Sequence, residues 1–170
     1  MSVNIKGLDS LLSKINQLGG SSDKALDKAI MKAGKLVEDD AKDLCTVDTG
    51  RLRNSIHTKL GGSSDAYTYK DNNGNEFSGG LANLGQVHTA IVGTNVEYAA
   101  YVECGTGQRG ESSPSPPKYP GARYREDWSG QEAQPFLWPA LNQNKDNIQE
   151  LITDGLKKEI RRLSLSLIHI

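Results

Sequence analysis

The stretch "CTVDTGRLRNSI", residues 45–56, is where one kind of periodicity gives way to another. Before it, "SSDKALDKAIMKAGKLVEDDAKDL" repeats apolar residues at helical spacing: Leu26, Ala29, Ile30, Ala33, Val37, Ala41 and Leu44 share one face. The stripe is narrow, and its small residues allow another backbone to approach closely. After it, "NSIHTKL" reads as a strand. Asp-Thr-Gly therefore marks a helix-to-sheet turn, which predicts an α+β chain. Asp48 is expected to cap that turn by accepting hydrogen bonds from the N–H groups that follow, with Gly50 permitting the bend. Leu52 and Ile56 are expected to point inward, Arg51 and Arg53 outward.

Asp-Thr-Gly is also the active-site tripeptide of aspartic proteases, where two such loops bring two carboxyls about 3 Å apart. A dimer of this short chain would be needed to supply both, and the later "AIVGT" imitates the element beneath such a loop. The flanks oppose this reading. The approach, "EDDAKDLCTV", is charged and helical where a strand is needed, and Arg51 beside the carboxyl would hold it ionised against proton sharing. Asp48 is expected to be structural.

Outward from the turn, "LDSLLSKINQL" predicts a first helix with Leu8, Leu11, Leu12, Ile15 and Leu18 on one face, stopped at Gly19-Gly20. Val3 and Ile5 alternate ahead of it and predict an extended start. Ser21 or Ser22 can cap the second helix. Residues 61–88 read as an extended flap with a hairpin turn at Asn73-Gly74, and "HTAIVGTN" as the second core strand. "VEYAAYVECG" reads as a short helix ended by Gly105. The segment 105–134 is rich in Pro, Gly and Ser and reads as one long loop, with "GTGQRG" as its hinge. Pro139 suits the first turn of a final helix carrying Leu141, Ile148, Leu151, Ile152, Leu156 and Ile160 inward. The terminal "LSLSLIHI" fits a strand, a frayed helix end or a cloning scar, so residues 164–170 stand outside a single domain of residues 1–163. The expected architecture is α+β: a small antiparallel sheet with two N-terminal helices and a long C-terminal helix packed on one face.

The chain has 170 residues, with 20 basic and 21 acidic side chains. That balance gives no general footprint for nucleic acid, although a small nucleic-acid-binding protein is an alternative reading. Arg51 with Arg53, and Lys157, Lys158, Arg161 and Arg162, read as solvated faces. Cys45 and Cys104 are far apart, without metal-ligand spacing, and read as reduced thiols. His57 and His88 lie on strands that could be neighbours, but lack a third ligand. No cofactor or metal is expected. No apolar run approaches about 20 residues, so no membrane span is expected.

Four landmarks in order, "VDTGRLRNSI", "IVGTNVEYAAYVECGTG", "QPFLWPAL" and a long C-terminal helix, resemble the tail-completion, or head–tail joining, family of long-tailed phages, the lambdoid gene-product-ten-like minor tail proteins. The resemblance spans roughly residues 1–160. It implies a structural virion protein and no enzyme: a small α+β subunit in a homo-oligomeric ring, typically a hexamer, at the head-proximal end of the tail. The implied partners are further copies, the tail-tube protein and the head connector or stopper, with DNA passing the lumen without sequence-specific binding. The implied location is the virion neck, assembled in the host cytoplasm. Carried over as scaffold and assembly residues are Asp48, Thr49, Gly50, Leu52 and Ile56, then Gly93, Tyr98, Ala99, Val102, Glu103, Gly105, Thr106 and Gly107. The third landmark supplies Pro135, Phe136, Leu137, Pro139 and Ala140. The chain departs from the pattern at Cys104, where relatives often have an aromatic, and at Trp138, where they often have a basic residue. The flap 61–88 and the loop 108–134 look longer than the minimum.

Overall fold

A computed structural model describes residues 5–63, 66–82, 87–114 and 122–168. Seven helices and four strands are formed by these residues: α1 (Leu8–Gln17), α2 (Ser22–Leu44), α3 (Arg51–Ser55), β1 (His57–Leu60), β2 (Tyr67–Lys70), β3 (Glu76–Gly79), β4 (Ala90–Gly93), α4 (Ala99–Cys104), α5 (Gly107–Ser112), α6 (Leu137–Gln143) and α7 (Lys145–Ile168). The α+β expectation holds. The strands form two separate antiparallel ladders, β1 with β4 and β2 with β3. Val3, in the expected extended start, lies outside the described residues.

Helix α2 is the centre of the molecule, with the β1–β4 ladder on one side and α7 and α6 on others. Ser21 starts it, its Oγ accepting the N–H of Lys24 at 3.4 Å. The small-residue stripe does what its composition predicts. Ala29, Ala33 and Ala41 are buried, and a Cβ on Gly34 would meet Thr58 Cγ2 at 2.6 Å and Ala90 Cβ at 2.9 Å. The ladder thus lies on the helix backbone, and Thr58 Oγ1 donates to the Gly34 carbonyl at 3.1 Å. Leu44, the last residue of the expected stripe, is instead 42% exposed, because α2 ends there and the chain turns away.

Glu38 sits on the buried side of α2 at 4% exposure, a charge that the apolar periodicity does not reveal. Lys35 and Lys42 each donate to it at 2.6 Å. Burial alone would raise its pKa, but the hydrogen bonds from the two lysines more than reverse this, lowering it from 4.5 to about 2. A depressed carboxyl pKa contributes stability that is present above the unfolded value and lost as pH falls toward the folded one. In acid titrations followed by urea unfolding, the native chain should lose about 2–3 kcal/mol more than Glu38→Gln between about pH 5 and pH 2. Parallel curves would refute this.

Two expectations at the C-terminal end are revised. The final helix does not run unbroken from Pro139: α6 and α7 are separated at Asn144, which is 2% exposed. The Asn144 Nδ2 donates to Asp40 Oδ2 at 2.5 Å and to the Ala140 carbonyl at 2.8 Å, pinning the break onto α2. The residues after 163, set aside as a strand, a frayed end or a scar, continue α7 to Ile168. Lys157, Lys158, Arg161 and Arg162 are exposed, as a solvated face requires.

Candidate assembly surface

The Asp-Thr-Gly turn is not capped by its aspartate. Asp48 is exposed, and α3 begins after Gly50, which is left-handed at φ 77°. The nearest side-chain acceptor for the first turn is Thr49 Oγ1, 3.4 Å from the Arg51 N–H. Thr49 also accepts the Asn72 N–H on its carbonyl at 2.8 Å, so the turn is tied to the β2–β3 hairpin. Leu52 and Ile56 are buried as expected. Asp48→Ala should therefore change stability by less than about 0.5 kcal/mol in chemical denaturation, the range of an ordinary surface substitution. A loss near 1 kcal/mol would restore the capping role.

Arg51 does not point into solvent. Its guanidinium lies 4.7 Å from the Phe77 ring centre and 5.8 Å from that of Tyr98, and it meets Glu97 at 3.2 Å. Phe77 continues an aromatic row through Tyr69 and Tyr67 to His57, whose ring stacks on Tyr67 at 4.4 Å. Arg51 thus joins the first landmark to the hairpin and to the second landmark. Ser55 Oγ and Thr94 Oγ1, 2.5 Å apart, make a second tie. The hairpin turn at Asn73-Gly74 forms as predicted, organised by Asp71, whose Oδ1 accepts the N–H groups of Asn73 and Asn75. His57 and His88 do not converge: His88 pairs with Asp27 at 2.9 Å at the other end of the ladder.

The second and third landmarks meet through Glu103. Its Oε2 accepts the N–H groups of Phe136 at 2.8 Å and Leu137 at 3.0 Å, and its Oε1 accepts that of Trp138 at 2.8 Å. The next residue is Pro139, which has no N–H, and the Ala140 N–H reaches the Phe136 carbonyl at 3.4 Å. Every N–H at the start of α6 is therefore accounted for, by a carboxylate at its positive end or by proline. This explains the grammar of "PFLWPA". Phe136 and Ala140 are fully buried beneath it. Gln134 N–H donates to the Val102 carbonyl at 2.8 Å, fastening the approach to α4.

The segment 105–134 is not one structureless loop, and "GTGQRG" is not a hinge. Residues 107–112 form α5, and Thr106 pairs with Gln131 in a short antiparallel bridge. Gly105, Gly107 and Gly130 are all left-handed, at φ 73°, 60° and 64°. A Cβ on Gly107 would meet the Trp128 carbonyl at 2.5 Å, and one on Gly110 would meet the Gly105 carbonyl carbon at 2.5 Å. The glycines let four stretches of backbone touch. Residues 115–121 of the expected loop, and 64–65 and 83–86 of the expected flap, lie outside the described residues.

This knot forms one wall of a cleft of about 1020 Å³ whose lining includes Ala100, Tyr101, Arg123, Tyr124 and Trp128. Tyr101 is 63% and Trp128 50% exposed, large apolar surfaces for a monomer to leave open. A second groove of about 890 Å³ lies along β4, between α2 and α6. Gly93 ends β4 near Leu81, Tyr98 immediately precedes α4, and Ala99, the first residue of that helix, lines the cleft. Sequence reasoning missed Glu38, Asn144 and Gly130, for which no periodic or motif signal exists. The chemistry of these surfaces is that of packing: exposed aromatics, apolar linings and glycine-tight turns.

Residues 9–105 match the family described as "Bacteriophage HK97-gp10, putative tail-component". No curated protein sequence and no solved structure gives a significant match. The match covers α1 to α4, including both ladders, the Asp-Thr-Gly turn and the approach to Glu103.

Proposed function

The chain belongs to the HK97-gp10-like family of bacteriophage tail components, and from that premise we propose that it is a ring-forming virion subunit at the head-proximal end of the tail. In this reading it completes the tail and joins it to the head connector, acting as a structural protein and not as an enzyme. The family match carries the reading. Two unlike concave surfaces support it, since a ring closes through heterologous contacts and each subunit then needs two different faces. Copies of the chain, the tail-tube protein and the connector are the proposed partners. A hexamer is the proposed order, with DNA passing the lumen. The near balance of acidic and basic residues suits a channel that lets DNA slide, because neutralising many phosphates would retain it.

The exposed Asp48, held on a helix-flanked turn, does not favour the dimeric protease alternative. Among the described residues no helix is long and apolar enough to cross a membrane. Deleting the gene from the phage or prophage tests the proposal. Negative-stain micrographs of the lysate should show full heads beside unjoined tails. Intact virions at the normal yield would refute it.

A further inference from the structure

The outward face of α7 carries charges sorted by position. Ile148, Ile152, Leu156 and Leu163 are buried, so the opposite side of the helix faces solvent. Glu150, Asp154, Lys157, Lys158 and Arg161 lie on that side, and all are exposed. The first half of this stripe is acidic and the second half basic. The helix dipole favours that order only within the first and last turns. Here the sign changes between Asp154 and Lys157, in the middle of a helix that runs from Lys145 to Ile168.

The subunit leaves these charges unanswered. Arg162 pairs with Glu159 at 2.7 Å, whereas Glu150, Asp154, Lys157, Lys158 and Arg161 have no ion-pair partner among the described residues. The stripe is also held in place. Gly155 lies at its midpoint, where an added Cβ would come within 3.2 Å of Ala29 Cβ, so α7 rests closely on α2 at the level where the sign changes.

We propose that this stripe pairs with the same stripe of a second copy, the two α7 helices lying antiparallel about a two-fold axis level with Gly155 and Leu156. Glu150 and Asp154 are spaced as Lys157 and Arg161 are, about 6 Å along the helix axis in each case. Reversing one helix over the other about that midpoint brings Asp154 level with the second copy's Lys157, and Glu150 level with its Arg161. The two-fold repeats both pairs. A parallel arrangement in register would set like charges against like. Exposed ion pairs contribute little singly, so the contact is weak and salt-sensitive. A ring closes through head-to-tail contacts, without such a two-fold between neighbours. The pair is therefore a state of the free chain, and the inference does not depend on the tail reading.

Sedimentation velocity of the full chain at about 20 mM and about 0.5 M salt tests it. At the lower salt the chain should form dimers as its concentration rises, with an association constant at least about tenfold above that at the higher salt. Glu150→Lys with Asp154→Lys makes the stripe wholly basic. Lys157→Glu, Lys158→Glu and Arg161→Glu together make it wholly acidic. Each variant alone should lose the dimer, and the two mixed in equal amounts should associate at least as tightly as the native chain. A native chain that stays monomeric at low salt, or association that survives the higher salt unchanged, would overturn the proposal. So would variants that associate as the native chain does, or a mixture that stays monomeric. Association seen only with added duplex DNA, and lost in the acidic variant, would assign the basic half to phosphate and overturn it as well.

Discussion

Replacing Glu103 by Ala should cost about 3 kcal/mol of folding stability. The three N–H groups it receives, at Phe136, Leu137 and Trp138, open α6 above a fully buried Phe136. Hydrogen bonds to a charged acceptor are worth about 1.5–3 kcal/mol each in favourable sites. The three are not additive, because they share one carboxylate and one helix end. Glu103→Gln keeps one acceptor oxygen but loses the charge that the helix end favours, so it should fall between the native chain and Ala. Urea unfolding of the three proteins measures this order. A loss under about 0.5 kcal/mol for Ala would show that water replaces the carboxylate freely. In phage, the same variant should give fewer joined particles, since α6 separates the two candidate contact surfaces.

Gly130→Ala should be at least as damaging. The residue is left-handed at φ 64°, and a Cβ there would collide with the Thr106 carbonyl, with Gly107 Cα only 2.7 Å away. Both obstacles are backbone, so no side-chain rotation relieves them. The left-handed conformation alone costs an alanine about 1–2 kcal/mol, and displacement of the Thr106–Gln131 bridge adds to that. Gly74→Ala is the control. It is also left-handed, at φ 86°, but a Cβ there meets nothing within 4 Å, so only the conformational cost applies. Limited proteolysis should find new cleavage between residues 105 and 131 in Gly130→Ala and none there in Gly74→Ala. Equal behaviour of the two variants would show that the glycine contacts carry no energy.

These variants also mark what the sequence could and could not tell. Helices α1 and α2 were legible because their apolar faces repeat over ten residues and more, and small residues on α2 announced a close neighbour. The Asn73-Gly74 hairpin was legible because only a few residue types tolerate that turn. Asp48 misled because a short polar residue before glycine fits a cap by composition, whereas the bond depends on a backbone angle that only the fold sets. Arg51 misled because an arginine in a charged stretch reads as solvated, and its aromatic bed comes from a hairpin some 26 positions later. The glycine knot read as a hinge for a related reason. Flexibility and tight backbone contact both select glycine, and only the partner strand at Gly130 tells them apart. Glu103 was named through family likeness, and its task became visible only when "PFLWPA" stood opposite it.

Two side chains thus act as joints. Arg51 fastens the first landmark to the second, and Glu103 fastens the second to the third. The surfaces left over are a cleft bearing Tyr101 and Trp128 and an apolar groove along β4. Those are features of a part made to be packed against others. Labelling purified virions with a gold-tagged antibody against this chain tests that account most directly. The account predicts label at the junction of head and tail, in a number consistent with one ring. Label at the distal tip, or none on intact virions, would contradict it.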